Sequence, residues 1–194
     1  MRKATVLRLT FIIAIVALLE VLSRIGVISR FIAPPPSQIV VDLVRLLASG
    51  EIQPAITRTL SKIAIACGGA IVIGTVLGVI IHRSQALAET LSPYFAAYYA
   101  VPIYAFYPLM IAIFGIGDAP QIVIGFLLAI VAVIVNTING LNRIPRVLRK
   151  TVAVYGMGPV EAAQKVYLPY VGPYLATGVK LAVSYSFIGV IGAE

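Results

Sequence analysis

The chain has 194 residues, of which 60% are hydrophobic and only 11% charged, with a formal net charge of +8. This composition excludes an ordinary water-soluble globular domain. The basic residues sit in the connections between apolar runs and build no continuous basic face, which argues against nucleic acid and for charges that set membrane topology. The one cysteine, Cys67, lies inside an apolar run, so no disulfide framework or cysteine metal site is available. His82, the one histidine, ends an apolar run and reads as an interfacial residue.

A hydrocarbon core of about 30 Å takes roughly 20 apolar residues per helix, so a chain of this length supplies about five spans. Long apolar runs without period-two alternation favour helices over a barrel. The expected fold class is therefore an all-α polytopic membrane protein, one domain over residues 1–194. The first run covers Ala4 to Leu22, with Arg2, Lys3 and Arg8 at its start, and lacks a small-x-small cleavage site, which makes it an uncleaved anchor. Pro34, Pro35 and Pro36 then break the helix. Ser37 is expected to cap a short amphipathic helix from Gln38 to Ser49, ending at Gly50 and lying on the outer surface.

The second span is predicted from Leu60 to Ile81, with Ala66, Ala70, Gly74 and Gly78 giving it one small-residue edge. Tyr94 to Phe114 forms a third span bent by Pro102 and Pro108, and a tight reversal runs from Phe114 to Pro120. Gln121 to Leu141 is the fourth span, and the last run begins near Tyr174 and reaches Glu194. Between them Arg143, Arg146, Arg149, Lys150 and Lys165 face a single acid, Glu161.

The positive-inside rule orients these spans. With the N-terminus inside, the inner side collects Arg2, Lys3, Arg8, Arg83, Arg143, Arg146, Arg149, Lys150, Lys165 and Lys180. Arg24, Arg30, Arg45, Arg58 and Lys62 remain outside. The basic segment 140–170 is thus cytoplasmic and too long for a plain helix connection. Pro145 to Tyr155 reads as a short helix, Gly156 to Pro159 as a turn, and Val160 to Tyr167 as a second helix halted by Pro169. Such a hairpin offers a docking surface; the alternative is an interfacial hairpin that meets only anionic lipid.

Gly156 is followed, after nine residues, by Val166-Tyr167-Leu168-Pro169. This spacing resembles the cytoplasmic motif of the permease subunits of ABC importers, in which Glu-Ala-Ala, three residues, glycine and nine residues precede Ile-x-Leu-Pro. The opening triplet falls on Lys150-Thr151-Val152, so a lysine replaces the acid that pairs with the ATPase in family members, and Glu161-Ala162-Ala163 is out of register. Ala33 to Ser37, Val101-Pro102, Phe114-Gly115-Ile116-Gly117, Asn136-Thr137 and Gly192-Ala193-Glu194 fit, in order, the branch that imports nitrate, sulfonates, taurine or thiamine-precursor pyrimidines.

The resemblance implies a permease subunit in the bacterial cytoplasmic (inner) membrane, paired with a second copy as a homodimer, an ABC ATPase subunit and an external solute-binding protein. It implies six spans, so a chain ending at Glu194 looks truncated at its C-terminus. Docking to the ATPase would fall on Lys150, Thr151, Val152, Gly156, Met157, Pro159, Val160, Leu168 and Pro169. ATP would be bound by the partner, since the chain has no Gly-x-x-x-x-Gly-Lys phosphate loop, and no cofactor, metal or enzymatic activity is expected. Polar groups within a bundle nominate Tyr98, Tyr99, Tyr104, Asn136, Asn139 and Ser184 for the translocation path, with structural packing an equal reading of each and the favoured one for the tyrosines. The tyrosines point to a flat aromatic cargo. The alternative is a vitamin-binding S-type subunit of an energy-coupling-factor transporter, which would hold ligand within its own bundle.

Overall fold

The computed structural model describes residues 2–29 and 31–194. Arg30 and the side chains of Arg2, Lys3 and Ala4 lie outside the described residues, and so do their parts in the charge count. Among the described residues there is no strand, and four helices are long and apolar enough to cross a membrane, or five if a bent pair is counted as one crossing. The chain is an all-α polytopic membrane protein. It divides into two compact units, to Thr57 and from Arg58 to Glu194.

In the first unit, α1 (Arg2–Arg24) is apolar from Thr5 onward and exposes Phe11, Ile12 and Ile13, as a lipid-facing helix does. α2 (Pro36–Ser49) starts two residues before its predicted first residue. Ser37, the expected cap, does not cap it. Proline is tolerated in a first turn because its missing N–H has no helical partner there. The Ser37 N–H and hydroxyl instead both donate to the Glu20 carboxylate, at 2.9 and 2.6 Å. A charged acceptor from α1 thus does what a hydroxyl cap would do, and Arg24 holds that carboxylate at 2.6 Å. Gly50 ends α2 at φ 75°, a left-handed position that glycine takes without a Cβ clash.

The second unit is built on α3 (Gln53–His82) from Arg58 onward, α6 (Asp118–Asn142) and α9 (Leu168–Ala193). α3 begins seven residues before the predicted span, through the polar stretch Gln53 to Thr59 that periodicity did not mark. Its small edge is buried as expected, with Ala66, Ala70, Gly74 and Gly78 against α6. A Cβ on Gly78 would stand 2.7 Å from Thr137 Cβ. The edge therefore serves packing within one chain. Cys67 lies in the same core with Ala70, Ala129, Val133 and Ala182. Where α6 meets α9, a Cβ on Gly189 would stand 2.5 Å from the Gly125 Cα, so two glycines let the backbones touch.

Two predicted elements differ. The bent third span is not one helix over Tyr94–Phe114. α4 (Gln85–Tyr98), capped by Ser84 through the Leu87 N–H, turns by 87° through a 3₁₀ turn (Ile103–Phe106) into α5 (Tyr107–Phe114). The break falls just before Pro102, which lacks the donor a continuous helix needs. The second hairpin helix is not halted by Pro169, nor does the last helix wait until Tyr174. α7 (Arg146–Val154) and α8 (Pro159–Ala162) lead through a π turn (Ala163–Tyr167) directly into α9. The π turn takes the hydrogen-bond ladder out of i→i−4 register, so Pro169 falls in a first turn.

Candidate functional site

The hairpin α7–α8 is held by its turn. Tyr155 ends α7, Gly156 follows at φ 61°, and the N–H groups of Gly156 and Met157 bond back to the carbonyls of Ala153 and Val152 at 3.2 and 3.1 Å. This is a Schellman closure, and a left-handed residue is what it requires. The structure then divides the nine docking candidates. Val152, Met157, Pro159 and Leu168 line an apolar cavity of about 690 Å³ between the hairpin and α3, α6 and α9. Lys150 and Val160 are exposed on the hairpin, Thr151 bonds to the Val147 carbonyl at 3.0 Å, and Pro169 is exposed at the start of α9. Glu161, in the out-of-register triplet, pairs with Lys165 at 2.8 Å on the surface.

An unanticipated patch accompanies them. Val147, Val154, Tyr155 and Val160 are 71%, 83%, 74% and 67% exposed, on a segment whose other exposed side chains include Arg146, Lys150 and Lys165. Exposed apolar side chains set among charges mark a protein or membrane contact. The amphipathic spacing of Arg146–Val154 carried this signal.

The six path candidates also divide. Tyr99 and Asn139 line a second cavity, of about 940 Å³, bordered by α4, α6 and the end of α3. Its mouth holds His82, bonded to Asn142 at 2.9 Å, and Glu89, which accepts from Gln85 at 2.8 Å. Arg83 and Arg149 border both cavities, and their guanidinium groups make no ion pair or hydrogen bond to a described residue. The polar groups of the other four bond to backbone carbonyls, those of Tyr98 and Tyr104 on a neighbouring helix and those of Asn136 and Ser184 on their own. Tyr98 donates to the Leu127 carbonyl at 2.9 Å, Tyr104 to that of Ile188, Asn136 to Ala132 at 2.8 Å and Ser184 to Lys180 at 3.1 Å.

At the opposite end of the bundle the sequence reading missed a charge cluster. Lys62, 4% exposed, donates to Gln121 and to Glu194, both at 2.6 Å, with Asp118 at 3.9 Å. Thr59 donates to Glu194, and Arg58 reaches both Asp118 oxygens at 3.0 Å. Two cations and two carboxylates from α3, α6 and the end of α9 thus neutralise one another. The available signal was the paired spacing of Arg58 and Lys62, one helical turn apart.

Residues 70–194 match the family described as binding-protein-dependent transport system inner membrane component. The chain is similar to a nitrate import permease protein of Leptolyngbya laminosa, 30% identical over 72% of this chain and 50% of that protein. It is similar to the glycine betaine/proline betaine transport system permease protein of Escherichia coli, 32% identical over 72% of this chain and 40% of the relative. The taurine transport system permease protein of the same organism is 24% identical over 89% of this chain and 64% of its own length. The matches thus span about half the length of such relatives.

Proposed function

The chain belongs to the family of binding-protein-dependent transport inner membrane components, and on that premise we propose that it is the permease subunit of an ATP-driven importer of a small solute. The observation that carries this reading is the hairpin α7–α8, closed at Gly156 by backbone hydrogen bonds and displaying Val147, Val154, Tyr155 and Val160 to solvent. In this reading the hairpin is cytoplasmic, the N-terminus is inside, and an ABC ATPase takes the exposed apolar patch. The acid that family members place at the opening of the motif is Lys150 here, so apolar contact rather than an ion pair at that position holds the partner. A closed α7–α8 unit can pass ATPase movement to the bundle, because α8 runs through the π turn into α9 without a loop.

The cavity bearing Tyr99 and Asn139 is this copy's share of the inner vestibule, completed by a second copy, and an external solute-binding protein delivers cargo to the other side. The cargo belongs to the class of small polar solutes that includes nitrate, sulfonates, taurine and betaines. No observation favours the vitamin-binding alternative.

The test is co-purification with an ABC ATPase subunit of the same organism. Tyr155→Ser and Val154→Asp alter only exposed side chains and should release the ATPase while leaving the bundle folded. Gly156→Pro, which cannot adopt a φ of 61°, should do the same. Retention of the ATPase at wild-type strength by all three variants would refute the docking role.

A further inference from the structure

α9 carries a single charged side chain between Leu168 and Ala193, Lys180. Two contacts set its depth. Arg143 reaches the Tyr174 hydroxyl at 3.4 Å near one end of α9, and Lys62 takes Glu194 at the other. At a rise of about 1.5 Å per residue, the stretch from Tyr174 to Glu194 covers about 30 Å, the thickness of the hydrocarbon core. Lys180 then lies about 9 Å inside the nearer boundary and about 21 Å from the farther one.

The buried side of α9, with Val171, Gly178, Ala182, Ser186 and Gly189, packs on the rest of the bundle. Lys180 stands on the opposite side with Thr177 and Ser184 one turn before and after it, all three exposed. Both hydroxyls are satisfied by their own helix, Thr177 on the Pro173 carbonyl and Ser184 on that of Lys180. The Lys180 ammonium has no hydrogen bond or ion pair with any described residue. An unpaired ammonium at that depth is unfavourable against hydrocarbon, and intramembrane charges face water, a partner or a pathway.

We infer that the Thr177–Lys180–Ser184 face of α9 lines the translocation path and that Lys180 holds an anionic group of the cargo, an oxyanion or a carboxylate or sulfonate end. This rests on the permease reading and names its substrate class. It departs from the flat aromatic cargo to which the tyrosines pointed. Two of those tyrosines, Tyr98 and Tyr104, hold backbone carbonyls of their own chain.

Thiol accessibility tests it without a known cargo. The chain is purified with its ATPase, placed in liposomes as Ser184→Cys, and treated with membrane-impermeant methanethiosulfonates, one anionic and one cationic. The wild-type chain is the blank, because its Cys67 is buried. The introduced thiol should react with both reagents. The anionic one should be favoured about tenfold beyond the ratio seen with a free small thiol, the lower end of the local enrichment that a focused charge produces. Lys180→Gln should abolish that preference and Lys180→Arg should keep it; both replace an exposed, unpaired side chain, so the bundle stays intact. A thiol that neither reagent reaches, or a preference unchanged by Lys180→Gln, overturns the inference while a bound ATPase leaves the permease reading standing. A chain that purifies without the ATPase overturns both.

Discussion

Glu194→Ala should be among the most damaging single changes at the charge-cluster end of the bundle, and its size follows from what Lys62 keeps. The Lys62 side chain is 4% exposed and Glu194 40% exposed, so the variant strands a buried cation while removing a partner that water already reaches. Stranding one member of a fully buried pair costs about 3–5 kcal/mol. Here Gln121 still accepts at 2.6 Å and Asp118 stands at 3.9 Å, so the expected loss is about 2 kcal/mol, below that range. Lys62→Met strands only Glu194, which keeps the Thr59 hydroxyl and solvent, and should cost about 1 kcal/mol, the scale of one hydrogen bond. With about 2–4 °C per kcal/mol for a chain of this size, Glu194→Ala lowers the unfolding midpoint by about 4–8 °C and Lys62→Met by about half of that. Cys67 is buried in the core and is the only cysteine, so a thiol-reactive dye that fluoresces on coupling reports its exposure during heating in detergent. A larger loss for Lys62→Met than for Glu194→Ala would falsify the reasoning. So would equal midpoints for both variants and wild type.

Gly189→Ala should destabilise the bundle by about 1–3 kcal/mol in the same dye assay, because its Cβ meets Gly125 backbone that cannot yield. Gly156→Ala places a Cβ in a left-handed residue, a strain of about 1–2 kcal/mol, and should raise hydrogen exchange in residues 152–158 with no change in the midpoint of the bundle. Tyr98→Phe removes the bond to the Leu127 carbonyl and should cost about 1 kcal/mol while leaving solute uptake by the assembled transporter unchanged; a loss of uptake at full stability would return Tyr98 to the path. Arg58→Gln should shift the midpoint little, since its pair with Asp118 is 67% and 38% exposed and solvent screens it.

Apolar runs and their breakers made the membrane class, the long helices α3, α6 and α9 and the hairpin legible in the sequence. Both rest on local physics: hydrocarbon length for the spans, and Pro145, Gly156 and Pro159 for the turn. The misses are where a distant partner decides. Ser37 has the composition of a cap, but the carboxylate that occupies its N–H comes from α1. Pro169 has the composition of a helix stop, yet the π turn beside it removes the conflict. Pro102 was read as a bend, and its missing donor instead accompanies an 87° break, since nothing in a run of apolar residues specifies the angle between two short helices. Of the path candidates, residue type alone could not distinguish Tyr99, which lines a cavity, from Tyr98, one position earlier, which bonds to α6.

That last contrast bears on how function is read from a helical membrane bundle. A polar group in apolar surroundings is stable only when its bonding capacity is met, so the groups met within the chain describe its architecture. Tyr98, Tyr104, Asn136, Thr137 and the Lys62–Glu194 pair belong there. Arg83, Arg149 and Lys180 have no such partner among the described residues. Two of them border the cavities beneath the hairpin and beside α4, and the third stands on the outward face of α9. All three are cations, and no described carboxylate pairs with them. The bundle neutralises its charges at one end, through Arg58, Lys62, Asp118 and Glu194, and the unpaired side chains of Arg83, Arg149 and Lys180 are open to an anionic counterpart supplied from outside the chain. In the proposed reading, transported solute would fill that role at Lys180, and lipid or an ATPase would meet the arginines beneath the hairpin.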